Sequence, residues 1–231
     1  MAKVVVFGVE LTAELAHYYL TNDSDDEIVA FTINQKYIND THFKGLPVVA
    51  FEEVQNLYPP NEYKFFSPLT ETNMNQFRAG IYYEAKAKGY EFINYISSRA
   101  TVLTDEIGEN NFILEDNTIQ PFVKIGDNNI FWSGNHIGHH SVIGNHVFFT
   151  SHVVLSGRCI VGDYCFFGVN ATIRDKLTIE EGTLLAMGGN LTKHTPAWSI
   201  WKGNPATKME MSSKDIDTKP KGVQPKIGEN A

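Results

Sequence analysis

The sequence predicts two fold classes in series: an α/β domain on a small parallel sheet, then an all-β parallel β-helix. Three observations carry this. Residues 1–96 alternate short apolar runs with stretches of helical spacing. From 107 to 191 every sixth residue is large and apolar, fifteen in succession without a slip. Beyond residue 191 the pattern stops, and the chain ends in a polar stretch with scattered Pro and Gly.

In the first region Lys3–Gly8 (KVVVFG) is a short apolar run closed by Gly, the mark of a buried strand. Leu11, Leu15, Ala16 and Tyr19 follow at helical spacing, and Glu27–Thr32 reads as a second strand. Pro47–Ala50 is a third candidate strand, Phe51–Tyr58 a short helix stopped by Pro59–Pro60, and Tyr63–Phe66 another β-rich run. Glu71–Lys88 is the longest helical candidate, with Gly89 suited to its left-handed cap. Tyr90–Ile96 reads as a last strand. This alternation suits an open, Rossmann-like parallel sheet with helices on both faces. The loop Gly8-Val9-Glu10-Leu11-Thr12 lacks GxGxxG, so dinucleotide binding is not expected.

The second region is governed by its repeat. The sixth-position residues include Ile107, Phe131, Phe149, Val161, Leu185 and Leu191. Gly follows at 108, 126, 138, 144, 162 and 168, and four residues on the side chain is small or slim, as at Ser141, Cys159 and Ala171. A period of six fits neither an α-helix nor a hairpin array; it describes a two-residue strand plus a turn. Three units close a triangular coil, so residues eighteen apart stack, with Ile107, Ile125, Ile143, Val161 and Ile179 in one inward column. Five coils at parallel-strand spacing make a prism roughly 24 Å long. The glycines are expected to supply turn conformations that a Cβ disfavours.

Bulk properties narrow the function. A formal charge of −8 argues against a general nucleic-acid binder, which needs clustered Lys and Arg. MAKVVVFG has no signal-peptide pattern and no run is long enough to span a bilayer, so a cytoplasmic protein without membrane insertion is expected. Cys159 and Cys165 occupy small inward repeat positions and read as core filling.

Hexapeptide repeats followed by Gly203-Asn204-Pro205-Ala206, with a βαβ region ahead of them, resemble the sugar N- and O-acyltransferases built on left-handed β-helices. That family is typified by the UDP-4-amino-sugar acetyltransferase of bacillosamine synthesis and the sialic acid O-acetyltransferases. The resemblance, and not the repeat itself, implies the left hand, since crossovers are generally right-handed. It implies a homotrimer with active sites between neighbouring prisms, acetyl-CoA as cosubstrate, no metal, and a nucleotide-linked amino sugar leaning on the N-terminal domain. The expected domains are residues 1–96 for the nucleotide sugar, 97–195 for the β-helix, 196–211 as a closing segment and 212–231 as a disordered tail.

Five of eight histidines, His136, His139, His140, His146 and His152, fall within seventeen residues. By the resemblance His139, two residues after the aliphatic Ile137, is the general base that takes the proton of an attacking sugar amine. The backbone N–H of Gly157, eighteen residues on, is the expected oxyanion donor. Family members often carry an acidic residue next, available to orient the ring; here it is His140, as an alternate base or an orienting residue. The bland reading has these histidines decorating a solvent-facing turn. A zinc site of the γ-carbonic-anhydrase kind is disfavoured, because His140, His146 and His152 are six apart and leave one chain from successive faces.

The resemblance also places acetyl-CoA against Gly157, Val169, Met187 and Gly188, with Lys202 and Pro205 at its adenine end. The nucleotide sugar, UDP- or dTDP-linked, would meet Gly8, Glu10, Leu11 and Thr12 after the first strand, then Asn34, Ser67, Pro68 and Leu69 at later strand ends. Some of these glycines could be turn formers only, and Asn34 an ordinary turn residue. N-acetyl transfer in surface-glycan (lipopolysaccharide) synthesis is the leading expectation. Transfer to a sugar hydroxyl, or a non-catalytic β-helix binding module, are the rivals.

Overall fold

The computed structural model describes residues 1–215. Its N-terminal region holds a five-stranded sheet of β1 (Lys3–Phe7), β2 (Glu27–Ile33), β3 (His42–Phe43), β4 (Leu46–Ala50) and β5 (Lys64–Phe66), in the order β3-β4-β2-β1-β5. All pairings are parallel except the β3–β4 hairpin. Alternation along β1 decides what covers each face. Val4 and Val6 pack with Ala13, Ala16 and Leu20 of α1 (Leu11–Asp23), whereas Val5 and Phe7 pack with Val54 of α2 (Val54–Leu57) and Ile81, Tyr82 and Ala85 of α3 (Gln76–Ala87).

The local reading needs three corrections here. The helix expected over Glu71–Lys88 starts only at Gln76, because Asn73, Met74 and Asn75 all stand at positive φ, +54°, +50° and +65°. The Phe51–Tyr58 helix shrinks to one turn. The strand expected over Tyr90–Ile96 is only Tyr95–Ile96, and it pairs with Phe112–Ile113 as the first rung of the prism.

From residue 95 the chain winds through two-residue strands in three parallel sheets, a left-handed parallel β-helix. Within the repeat the register is eighteen: Ile130–Phe131 pairs with Phe148–Phe149, and Val142–Ile143 with Ile160–Val161. The sixth-position residues fill the core, with Phe131, Phe149 and Phe167 stacked at 4.8 and 4.7 Å. Rungs out of period lie at each end: Tyr95 and Thr101 are seventeen residues before Phe112 and Thr118, and Ile200 is sixteen after Leu184. Thr207–Ser212 then runs antiparallel to Ser199–Lys202 and covers the last edge. The polar tail expected from residue 212 thus begins inside a described element, with Ser213 buried and its hydroxyl on the Gly182 carbonyl. Residues 216–231 of that expected tail lie outside the described residues.

The glycines do something other than expected. Corners fall at every sixth residue from Asn110 to Gly188, and most are not glycine: Asn128, His140, His146, His152, Arg158 and Tyr164 all sit near φ +60°. Gly126, Gly138, Gly144 and Gly168 have no such φ; a Cβ there would come within 3.1 Å of backbone atoms of the next coil. They are required for coil-to-coil approach, not for turning.

One face of the prism carries outward Phe112, Ile130, Phe148 and Phe166, and these pack against Val4, Val6 and α1. The other two faces carry outward Thr118, His136, Val154 and Thr172, and Lys124, Val142, Ile160 and Thr178. The covered face runs between the corner columns Asn110–Asn128–His146–Tyr164 and Asp116–Gly134–His152–Asn170–Gly188. The third column, Phe122–His140–Arg158–Lys176, is the edge opposite the N-terminal region.

Candidate active site

His139 stands beside that third column and is exposed. Its backbone is pinned on both sides: its N–H donates to Oε1 of Gln120 (2.9 Å), and its carbonyl accepts from the Arg158 N–H (2.9 Å). Its ring packs against Gly157, so close that a Cβ there would stand 2.9 Å from Nε2. The Gly157 N–H donates to no other described residue, and Gly138 beneath it has no side chain to cover it. A ring nitrogen and a backbone donor without a partner among the described residues therefore sit on adjacent coils, the two groups that acyl transfer needs as base and oxyanion donor.

His140 Nδ1 is 3.0 Å from His139 Nδ1, with the rings nearly perpendicular at 89°. His140 in turn rests on Phe122, ring centroids 4.6 Å apart. No carboxylate is bonded to either imidazole among the described residues; the charged side chains of this column are Arg158 and Lys176, one and two coils on.

The other histidines separate onto different edges. His146 is buried, bonded between Asn128 Nδ2 (2.7 Å) and the Tyr83 hydroxyl (2.9 Å) and stacked on Tyr164. Burial, with the Arg78 cation second, pushes it down to about 4, so it is a neutral structural residue. His152 lies over Gly134 on the second column, and His136 points from an open face. The six-residue spacing of His140, His146 and His152 is that of corners, and among the described residues no three His, Cys, Asp or Glu side chains gather as a metal site would need.

A second feature is a cavity of about 550 Å³ at the strand ends of the N-terminal sheet. Of the residues singled out from sequence, Gly8, Glu10, Thr12, Asn34 and Leu69 line it. Leu11 does not, being 69% exposed, and Ser67 and Pro68 are buried off the lining. Thr70, at the end of the Ser67–Thr70 stretch also singled out from sequence, lines it too, whereas the sequence reading missed Tyr37, Asp40, Phe43, Thr72 and Phe77. The loop after β2 was the available signal, since open α/β sheets bind ligands beyond strand carboxyl ends. Glu52 accepts from the Gln35 N–H (2.9 Å) and fastens this loop. Among the described residues no Lys or Arg lines the cavity, so an anion there would rely on backbone N–H groups such as those opening α1, whose Glu10 makes no side-chain cap.

The residues assigned to acetyl-CoA fall in two places. Gly157 belongs with His139, whereas Val169, Met187 and Gly188 stack on the second column, one prism face away. Met187 is 75% and Val169 39% exposed. Lys202 and Pro205 lie in the exposed hairpin that closes the prism.

Comparison with known proteins decides the fold. Residues 106–139 match the bacterial transferase hexapeptide (six repeats) family. The acetyltransferase domain of PglB from Neisseria gonorrhoeae superposes with a TM-score of 0.77 at 19% identity, over 90% of this chain and all of that one. PerB from Caulobacter crescentus, in complex with CoA and GDP-perosamine, gives 0.76 at 21%, over 90% and 98%. The chain shares their fold. WeeI from Acinetobacter baumannii gives 0.75 at 21%, over 90% and 100%. No curated protein sequence matches the chain, and no helix of the described residues is long and apolar enough to cross a membrane.

Proposed function

We propose that this chain is an acetyl-CoA-dependent N-acetyltransferase acting on the amino group of a nucleotide-linked amino sugar in surface-glycan synthesis. The observation that carries the reading is the exposed His139 ring packed against Gly157, whose N–H has no partner among the described residues. The fold shared with PglB, solved with acetyl coenzyme A, and with PerB, solved with CoA and GDP-perosamine, supports it.

His139 and His140 meet Nδ1 to Nδ1 at 3.0 Å; the mechanism assigns the shared proton to His139, so that His140 Nδ1 accepts and the His139 Nε2 lone pair is free. Nε2 accepts the proton of the sugar amine as the amine nitrogen bonds to the thioester carbonyl carbon. The Gly157 N–H receives the charge that develops on the carbonyl oxygen. The C–S bond then breaks, and the proton on Nε2 passes to the departing thiolate. Both cysteines are buried, and burial pushes the Cys165 thiol up to about 12, so no acyl-cysteine step is invoked.

The placement of the two features favours a homotrimer. The nucleotide cavity lies in the domain that covers one prism face, while His139 sits on the opposite edge. A sugar in the cavity meets the His139 of a neighbouring copy, and the same docking brings Gly157 of one prism toward Val169, Met187 and Gly188 of the next. Open-face Val142, Val154 and Ile160, each 38–53% exposed, are apolar surface for that contact.

The test is thiol release from acetyl-CoA with dTDP-, UDP- and GDP-linked 3-amino and 4-amino sugars, comparing wild type with His139→Asn. Turnover with one amine, reduced at least about 100-fold in the variant, is expected. Release with a hydroxyl sugar alone would convert the reading to O-acetyl transfer. Turnover that survives the substitution would remove His139 from the chemistry.

A further inference from the structure

Among the described residues Arg78 is the largest side chain to be buried completely, at 0% exposure. It leaves α3 toward the prism, and among the described residues it makes no ion pair; Glu71 attracts it only at longer range. A buried guanidinium without a carboxylate is costly, so its donors must be satisfied in some other way. They are satisfied on two sides. Toward the prism, Nε donates to the Asn128 carbonyl (3.2 Å) and Nη2 to the carbonyls of His146 (2.9 Å) and Val147 (3.3 Å). Toward the N-terminal domain, Nη1 donates to the carbonyls of Leu69 (3.4 Å) and Thr70 (3.2 Å) and to Asn75 Oδ1 (3.1 Å). Phe148 packs against the fork, its ring centroid 5.6 Å from Cζ.

The first pair on the domain side decides the meaning. Leu69 and Thr70, with Thr72 and Phe77, form one wall of the 550 Å³ cavity. That wall is also tied to the prism at its two ends. Ser67 N–H donates to Asn110 Oδ1 (2.9 Å) and Asn110 Nδ2 donates to the Ser67 hydroxyl (2.7 Å). Asn75 Nδ2 donates to the carbonyls of Tyr164 (3.1 Å) and Cys165 (3.2 Å). Between these ties run the three consecutive left-handed residues Asn73–Asn75, a backbone state held only where the surroundings impose it.

We infer that Arg78 is a positioning residue for the nucleotide sugar: its fork fixes the Leu69–Phe77 wall of the cavity onto one prism corner. This rests on the cavity being the nucleotide-sugar site. A lysine keeps the charge but cannot span both acceptor sets, because its single nitrogen lacks the planar fork. Prism residues assigned to acetyl-CoA touch none of these groups, so Arg78 acts on the sugar side alone.

The experiment measures Kd by calorimetry for CoA and for UDP, dTDP and GDP, with the thermal midpoint, in wild type, Arg78→Lys and Asn75→Gly. The second variant keeps the left-handed backbone, which glycine accepts freely, and removes only the side-chain ties. The expected result is nucleotide Kd raised about tenfold or more in both, with CoA Kd unchanged. With the preferred amino sugar, kcat/KM then falls about 100-fold. If both variants fold and bind nucleotide as wild type does, the inference is overturned. Losses in nucleotide and CoA affinity that move together with a lowered midpoint also overturn it, in favour of a general role in the fold. Should Arg78→Lys not fold, Asn75→Gly decides by the same two ligands. A wild type that binds CoA but none of the three nucleotides instead removes the reading of the cavity, whatever the variants do.

Discussion

At the residue scale, the proposed chemistry turns on which ring nitrogens of His139 and His140 meet. The resemblance singles out His139, two residues past Ile137, and Gly157 one coil on, and the structure sets these two residues against each other. The part played by His140 was not legible, since adjacent residues in a chain reveal nothing about which ring nitrogens meet. The structure brings Nδ1 to Nδ1 at 3.0 Å, and only one of the two nitrogens can carry the proton. If His140 is the acceptor, His139 presents a bare Nε2; in the opposite arrangement Nε2 carries hydrogen and cannot act as base, a fault that costs other imidazole bases several orders of magnitude. His140→Asn keeps an acceptor in nearly the same place, on a residue type that tolerates the φ of +57° found there. His140→Gly keeps the backbone and removes the acceptor. Steady-state kinetics should show kcat of the asparagine variant within about tenfold of wild type and that of the glycine variant down about 100-fold, with both KM values little changed. Equal losses in the two variants would mean that the acceptor is irrelevant.

At the scale of the coil, the period of six was legible and its glycines were misread. Apolar residues at a fixed interval report the inward direction, whatever the local backbone does. The turn conformation is different, because it falls three residues past the inward residue, on side chains as varied as Phe122, Arg158 and Lys176. Nothing in their chemistry marks them as left-handed. The rungs at Tyr95, Thr101 and Ile200 were not legible as part of the repeat, because offsets of seventeen and sixteen break the count. This inversion of roles predicts an inversion of mutational cost. Gly126→Ala places a Cβ 2.8 Å from the Gly144 carbonyl oxygen, a backbone atom that cannot swing away. Its unfolding free energy should fall by roughly 1–3 kcal/mol, the usual cost of overpacking. Lys176→Gly, at an exposed corner with φ +59°, relieves a strained backbone and should leave stability unchanged or raise it by less than about 1 kcal/mol. Denaturant midpoints of the two variants separate the readings; a corner substitution more damaging than the one at Gly126 would restore the glycines to the turns.

At the scale of the whole molecule, the seam between sheet domain and prism was the least legible feature. The outward Phe112, Ile130, Phe148 and Phe166 were hints, but the polar half of the seam joins residues far apart in sequence: Arg78 to His146, Tyr83 to His146, Asn75 to Tyr164. His146 makes this seam sensitive to acid. The groups facing it are Tyr82, Tyr83 and Arg78 of α3, Asn128 and Tyr164 of the neighbouring coils, and Asp163 at longer range. Burial, then the Arg78 charge, lowers it from 6.5 to about 4 in the folded chain. The unfolded chain therefore binds its proton first, and stability tied to neutral His146 is complete above about pH 6.5 and lost as pH falls toward 4. A shift of that size corresponds to about 3 kcal/mol. Carboxylates such as Asp23, held down to about 2 by Ser98 and Tyr95, also lose stabilisation on acidification, so wild type alone cannot isolate the histidine. His146→Asn can, because asparagine tolerates the φ of +60° and does not titrate. Urea unfolding at pH 7 and pH 4.5 should show wild type losing about 2 kcal/mol more than the variant over that interval. A parallel decline in the two proteins would place the acid sensitivity elsewhere and leave the seam indifferent to pH.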